Sequence, residues 1–316
     1  MKFKKALVVG IDQSQLDNST WGAIDELAEK RVMLTADSKD INNELKDADA
    51  LLVYFNKADR EMIDVAPNLK YIGALATGTG KIDSDYAATK NIIVTNVPGY
   101  STESVAELVF GVLLEKLREI ARAKSESKEG NRSELGFTGT EIKGKKFGVL
   151  GLGRIGARVG ELAQAFGADV SYWSQNRKKD VEKNGLKYAE IDEVLSSSDI
   201  LSIHFALNSN TEDIINEERV NKIKKGAIIV NTAPMELINY DALLKRVKNG
   251  ELTFIFDHTD LGDITEEKLK ALQVCDNCTT YPCIGYISAE ARVAKQDIFV
   301  ENMKSFLSGK PQNTVS

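Results

Sequence analysis

The chain is poor in the residues that staple folds or bind metals: 316 residues contain three cysteines, two histidines and five prolines. Cys275, Cys278 and Cys283 crowd near the C-terminus. An odd number gives no disulfide framework, and reduced thiols are expected. Cys275 and Cys278 have C-x-x-C spacing, but no second pair accompanies them and His204 and His258 are the only histidines. Buried or half-buried thiols are therefore expected rather than a zinc site. No apolar run approaches the ~20 residues of a membrane helix. The run at residues 6–11, behind the basic start Met1–Lys5, is too short for a signal-peptide core, and a cytoplasmic protein is expected. Positive charge is not in excess either. Against 47 Asp and Glu stand 41 Lys and Arg, a net −6, which leaves no sustained basic surface for a phosphate backbone. Nucleic acid is not an expected partner.

What is present is the composition of a globular protein, 42% hydrophobic and 28% charged, in a chain long enough for two domains. Apolar runs at residues 6–11, 50–55, 71–76 and 92–95 read as strands separated by helical segments, the α/β rhythm of a parallel sheet. Pro98-Gly99 then makes a turn, and Ser101 offers an N-cap to a long helix. Its apolar positions, from Val105 through Leu108, Val109, Val112, Leu113 and Leu117 to Ile120, keep a 3.6-residue period. The polar stretch 124–133 reads as an exposed connection between domains. Six further runs follow, at 146–150, 169–173, 200–205, 227–231, 252–257 and 278–281, fitting a doubly wound sheet. A final helix occupies residues 288–307, before Gly309 and Pro311.

One motif carries chemistry. The run Lys146-Phe147-Gly148-Val149-Leu150 feeds Gly151-Leu152-Gly153-Arg154-Ile155-Gly156, after which Val159, Leu162, Ala163 and Phe166 keep helical spacing. This is G-x-G-x-x-G in its strand–turn–helix context. Gly151 permits the turn, Gly153 lets the backbone approach a pyrophosphate, and Gly156 lets helix and strand pack closely; the helix N-terminus supplies amides and positive dipole. NAD-specific versions place Asp or Glu at the end of the next strand. Here that strand ends at Ser174-Gln175-Asn176-Arg177-Lys178-Lys179, without a carboxylate. A hydroxyl followed by three cations suits a 2′-phosphate, so NADP is the expected cofactor, with NAD possible and a solvated basic turn as the bland alternative.

These stretches resemble the D-isomer-specific 2-hydroxyacid dehydrogenase family. Residues 76–83, with Thr77 and Gly78, are similar to its substrate loop, and residues 94–101 to its hinge. Residues 225–233, ending in Asn231-Thr232-Ala233, resemble its fifth-strand motif, and Glu301-Asn302 with Gly309-Lys310-Pro311 its closing helix. The resemblance implies two Rossmann-like doubly wound domains: a discontinuous substrate domain of residues 1–98 plus 284–316, and an inserted dinucleotide domain of residues 99–283. Nicotinamide and a small anionic substrate would meet between them, with Thr232 and Asp257 among the cofactor's neighbours. A homodimer is also implied. The Thr77 and Gly78 amides would hold the substrate carboxylate, as a turn presenting N–H groups does.

The family's catalytic trio is missing. Its arginine position is Pro234, its histidine position Cys283, and its glutamate position falls on Gly262, near Asp260 and Asp263. Losing a positioned acid/base typically costs 10²- to 10⁴-fold. Three readings stay open. Hydride chemistry survives with reassigned residues: Lys81 for the cation, His258 for the acid/base because imidazole titrates near neutrality, Tyr100 as a donor to a carbonyl oxygen, with Tyr281 and Tyr286 further donors. Alternatively Cys283 is a nucleophile or redox thiol. In the third, catalysis is lost and the chain is an NADP(H)-responsive sensor or interaction protein.

Overall fold

The computed structural model describes residues 1–54, 56–258 and 264–315. Phe55, and the Asp260, Gly262 and Asp263 positions read above, lie outside the described residues. The chain forms two compact units, Met1–Tyr100 with Ser288–Ser316, and Ser101–Ile287.

In the first unit the strands β1 (Ala6–Val9), β2 (Arg31–Leu34), β3 (Ala50–Val53), β4 (Tyr71–Ala74) and β5 (Ile93–Thr95) alternate with α1 (Asn18–Leu27), α2 (Ile41–Leu45), α3 (Arg60–Asp64) and α4 (Ser84–Thr89). They make one parallel sheet in the order β2-β1-β3-β4-β5. Period-two alternation sends Leu7, Val9, Leu51, Val53 and Ile72 to one face, over α2 to α4. Ala6, Val8, Ala50, Leu52 and Tyr71 go to the other, over Trp21 and Ile24 of α1 and Phe299 and Met303 of the C-terminal helix. Each large side chain so buried contributes ~1.5–3 kcal/mol. The sequence reading missed β2, which lies at the sheet edge and is only half-buried. Its apolar stretch, Val32 to Leu34 behind Arg31, is only three residues long and gives a weak strand signal.

The second unit opens with α5 (Thr102–Leu117) and α6 (Ile120–Lys128). The single long helix expected there breaks at Glu119, which adopts a left-handed conformation (φ 51°). Ser101 occupies the N-cap position, yet its side chain makes no capping bond; its carbonyl accepts from Val105. The stretch 124–133, read as an inter-domain connection, instead lies inside this unit and completes α6. Then come β6 (Lys146–Leu150), α7 (Arg154–Ala165), β7 (Asp169–Trp173), α8 (Lys179–Glu182), β8 (Lys187–Tyr188), α9 (Ile191–Ser197), β9 (Ile200–Ile203), α10 (Glu217–Lys222), β10 (Ile228–Asn231), α11 (Tyr240–Lys248), β11 (Thr253–Asp257), α12 (Glu266–Gln273) and β12 (Cys278–Tyr281). The sheet has seven strands rather than six, in the order β12-β11-β10-β9-β6-β7-β8. The extra one, β8, is two residues long and too brief to show a period. The order reverses between β6 and β9, which is where a doubly wound sheet binds its ligand. The chain returns to the first unit as α13 (Ala289–Leu307), whose N-cap Ser288 accepts a hydrogen bond from the Ala291 amide. No helix of the described residues is long and apolar enough to cross a membrane.

Candidate active site

The glycine loop sits at the switch point because β6 is central, with Phe147, Val149 and Leu150 fully buried. Gly151 turns the chain at φ +93°, and a methyl added there would lie 2.8 Å from the His204 carbonyl carbon. At Gly156 the added carbon would lie 2.1 Å from the Gly151 carbonyl oxygen, so helix and loop can approach only over glycine. Gly153, the N-cap of α7, has open space in front of it, with nothing within 4 Å of the same atom. Arg154 and Ile155 form the first turn of α7, whose amides point to that space.

A cavity of about 470 Å³ opens on the loop. Its walls come from the C-terminal ends of three neighbouring strands: Gly151 to Gly153 after β6, Trp173 to Asn176 and Lys178 after β7, and His204 to Ala206 after β9. Trp173 and Phe205 meet edge to face, centroids 5.7 Å apart. His204 donates or accepts at Ser202 Oγ, 2.7 Å away, and burial drives its imidazole down to about 3, so it is neutral. The sequence reading gave His204 no role, because the proximity of β9 to β6 follows from strand order and not from spacing. The cavity and glycine cradle fit a dinucleotide.

The basic turn after β7 differs from its sequence reading. Arg177 forms a two-pronged pair with Glu182, both bonds 2.7 Å, and covers the Tyr188 ring at 5.0 Å. The pair pulls the Glu182 carboxyl down to about 2. Ser174, donating to the Asn176 carbonyl at 2.7 Å, and Lys178 do line the cavity, whereas Lys179 begins α8.

His258 and Cys283 follow the C-terminal ends of β11 and β12, adjacent strands in which Asp257 pairs with Tyr281. Asp257, 3% exposed, accepts from the Ile284 amide at 3.0 Å and the Gly285 amide at 2.8 Å. This carboxylate fixes the turn carrying the buried Cys283 while neighbouring the half-buried His258 in the chain. Tyr281 points elsewhere, donating to Glu115 of α5, a contact that with burial pushes its phenol upward. At the end of β10, Asn231 accepts from the Ala233 amide at 3.0 Å, and Thr232 Oγ1 lies 3.5 Å from His204 Nδ1. Pro234 then starts a 3-10 turn over Met235–Leu237. Burial raises the Cys278 thiol to about 12, and no group of three His, Cys, Asp or Glu among the described residues could hold a metal.

In the first unit, Thr77 and Gly78 follow β4 and are exposed. Thr77 Oγ1 donates to the Val97 carbonyl at 2.8 Å, and Asn96 Nδ2 donates to the Thr77 carbonyl at 2.7 Å. Asn302 of α13, fully buried, donates in turn to the Asn96 carbonyl at 2.7 Å. The Glu301-Asn302 motif therefore props the loop from beneath through Asn302. Lys81 is exposed, and its carbonyl accepts from Ala58. Tyr100 is half-buried beneath the Lys295 ammonium, 5.8 Å from the ring centroid.

A glycine loop at the switch point of a doubly wound sheet, opening on a cavity walled by three strand ends, defines a dinucleotide-dependent oxidoreductase. The chain belongs to the D-isomer-specific 2-hydroxyacid dehydrogenase family, whose NAD-binding-domain model matches residues 110–285. It is 32% identical over 311 residues to hydroxypyruvate reductase of Blautia hydrogenotrophica, covering 94% of each chain. D-lactate dehydrogenase of Aquifex aeolicus, solved with NAD and lactic acid, superposes with a TM-score of 0.85 at 28% identity, over 96% of each chain. An acyclic imino acid reductase solved with NADPH and D-Arg superposes at 0.87 with 27% identity, over 98% of this chain and 100% of that one. The chain is an oxidoreductase acting on CH–OH donors with a nicotinamide cofactor.

Proposed function

We propose that the protein reduces a small 2-oxo acid to the D-2-hydroxy acid, or runs the reverse reaction, with His258 in place of the family's acid/base. The open Gly153 cradle beside the cavity, retained with the exposed Thr77–Gly78 turn, carries this reading. The unit of Met1–Tyr100 with Ser288–Ser316, close to the 1–98 plus 284–316 expected from the resemblance, serves as the substrate domain, and Ser101–Ile287, close to the expected 99–283, as the dinucleotide domain. When bound, the cofactor supplies or accepts the hydride at its nicotinamide ring. Gly151, Gly153, Arg154, Ile155 and Gly156 hold the pyrophosphate, with Thr232 and Asp257 on the nicotinamide side. The Thr77 and Gly78 amides orient the carboxylate. His258 holds the proton that reaches the substrate oxygen during reduction and takes it back during oxidation. Lys81 adds positive charge to the substrate loop, and Tyr100 donates to the substrate from the hinge. The support for His258 over Cys283 is the nearly complete burial of the thiol, against the half-buried imidazole.

NADP(H) is the preferred cofactor in this reading, supported by Ser174 and Lys178 on the cavity wall and by the lack of a carboxylate after β7. Arg177, engaged by Glu182, contributes less than its charge implies. The protein works as a homodimer in the cytoplasm. Fluorescence titration checks the cofactor preference: NADPH should bind tighter than NADH, and tighter NADH binding would reduce the turn to surface charge. His258→Asn should lower kcat by ~10²-fold or more, with Cys283→Ser near the wild-type rate. The opposite pattern would transfer the role to the thiol.

A further inference from the structure

One cation of the first unit sits where an anion would arrive. Lys295 of α13 places its ammonium 5.0 Å from the Tyr54 ring centroid and 5.8 Å from that of Tyr100. Tyr54 directly follows β3, and Tyr100 lies in the hinge after β5. In the sheet order β4 runs between β3 and β5, and the three strand ends are tied together: the Leu75 amide donates to Val53, the Val97 amide to Ala76, and Thr77 Oγ1 to Val97. The Thr77–Gly78 turn leaves the middle strand, so the lysine spans the sheet's carboxyl edge across the strand that carries the anion loop. Such an edge is where α/β sheets bind ligands. Its charged neighbour is Arg292, of like sign, and burial together with that arginine lowers the ammonium's affinity for its proton. Among the described residues no carboxylate forms an ion pair with it, and a half-buried cation so placed is costly to keep unless a ligand completes it. Its two tyrosine faces hold it in place through cation–π contact without neutralising it.

We propose that Lys295 receives the substrate's carboxylate, the task left without an arginine at Pro234. This rests on the 2-oxo acid reading above. A lysine offers a compact charge with three rotatable donors instead of a planar fork, so the site takes a short carboxylate-bearing substrate and orients it mainly through the Thr77–Gly78 amides.

The test uses the full chain with saturating NADPH. Steady-state constants for glyoxylate, pyruvate and hydroxypyruvate, and the affinity for oxalate, are measured in wild type, Lys295→Met and Lys295→Arg. Lys295→Met should raise KM and weaken oxalate binding ~10-fold or more, as loss of a charge-assisted contact does, with kcat changed less and NADPH affinity unchanged. Lys295→Arg should recover most of the loss. Unchanged KM and oxalate affinity in Lys295→Met overturn the proposal and leave the reductase reading standing. Oxalate binding that depends on Lys295 without turnover of any 2-oxo acid supports the proposal and overturns the reductase reading. Wild type that does not bind oxalate overturns the proposal. Should Lys295→Met fail to fold, Lys295→Gln carries the same comparison.

Discussion

The three loop glycines resist substitution for different reasons, and the difference is measurable. Gly156→Ala drives a methyl onto the Gly151 carbonyl oxygen, 2.1 Å away, and should destabilise the fold by ~1–3 kcal/mol or more, read as a lower melting temperature. Gly153→Val enters open space. It should melt like the wild type in the absence of cofactor yet lose most of its NADPH affinity, and a matching loss of stability would remove the pyrophosphate role. His204 makes a pH prediction. Its folded-state titration lies near 3 against an ordinary 6.5, so between those values the unfolded chain holds the extra proton and stability falls as pH drops through that window. The slope reaches up to about 1.4 kcal/mol per pH unit. Thermal melts of wild type and His204→Gln from pH 7 to pH 4 should converge on acidification. Parallel curves would mean that the imidazole is not held neutral.

At the level of elements, Asp257 links the end of β11 to the turn after β12. Asp257→Asn keeps one acceptor and loses the other, which should cost ~1–3 kcal/mol, seen in urea unfolding, together with a fall in kcat because the turn bearing Cys283 loosens beside His258. The sequence made the central elements legible. β1 and β3 are unbroken apolar runs, and β4, β6 and β9 to β11 are mostly apolar, because both faces of a parallel sheet are covered. The edge strands are weaker signals: β2 is half-buried with three apolar residues, and β8 is two residues long. The glycine loop was legible because a pyrophosphate cradle constrains backbone, and backbone constraint reads out as glycine. Partnership between side chains distant in sequence was not legible. Glu182 pairs with Arg177, β9 brings His204 to the loop, and α13 brings Lys295 over two strand ends. Each depends on strand order or helix docking, which residue spacing alone does not encode.

For the whole molecule, the fold and family are those of a D-isomer-specific 2-hydroxyacid dehydrogenase; the proposed change of acid/base set starts from the sequence resemblance that aligns Pro234 and Cys283 with that family's arginine and histidine. If the homodimer reading holds, sedimentation equilibrium should give twice the chain mass at micromolar concentration; a concentration-independent monomer would refute it. The central claim is that the glycine cradle still serves hydride transfer through a changed acid/base set. It is tested most directly by NADPH oxidation over glyoxylate, hydroxypyruvate and pyruvate, with chiral resolution of the product. The account predicts turnover that yields the D-hydroxy acid and falls ~10²-fold or more in His258→Asn. Tight NADPH binding with no turnover on any of the three would contradict it.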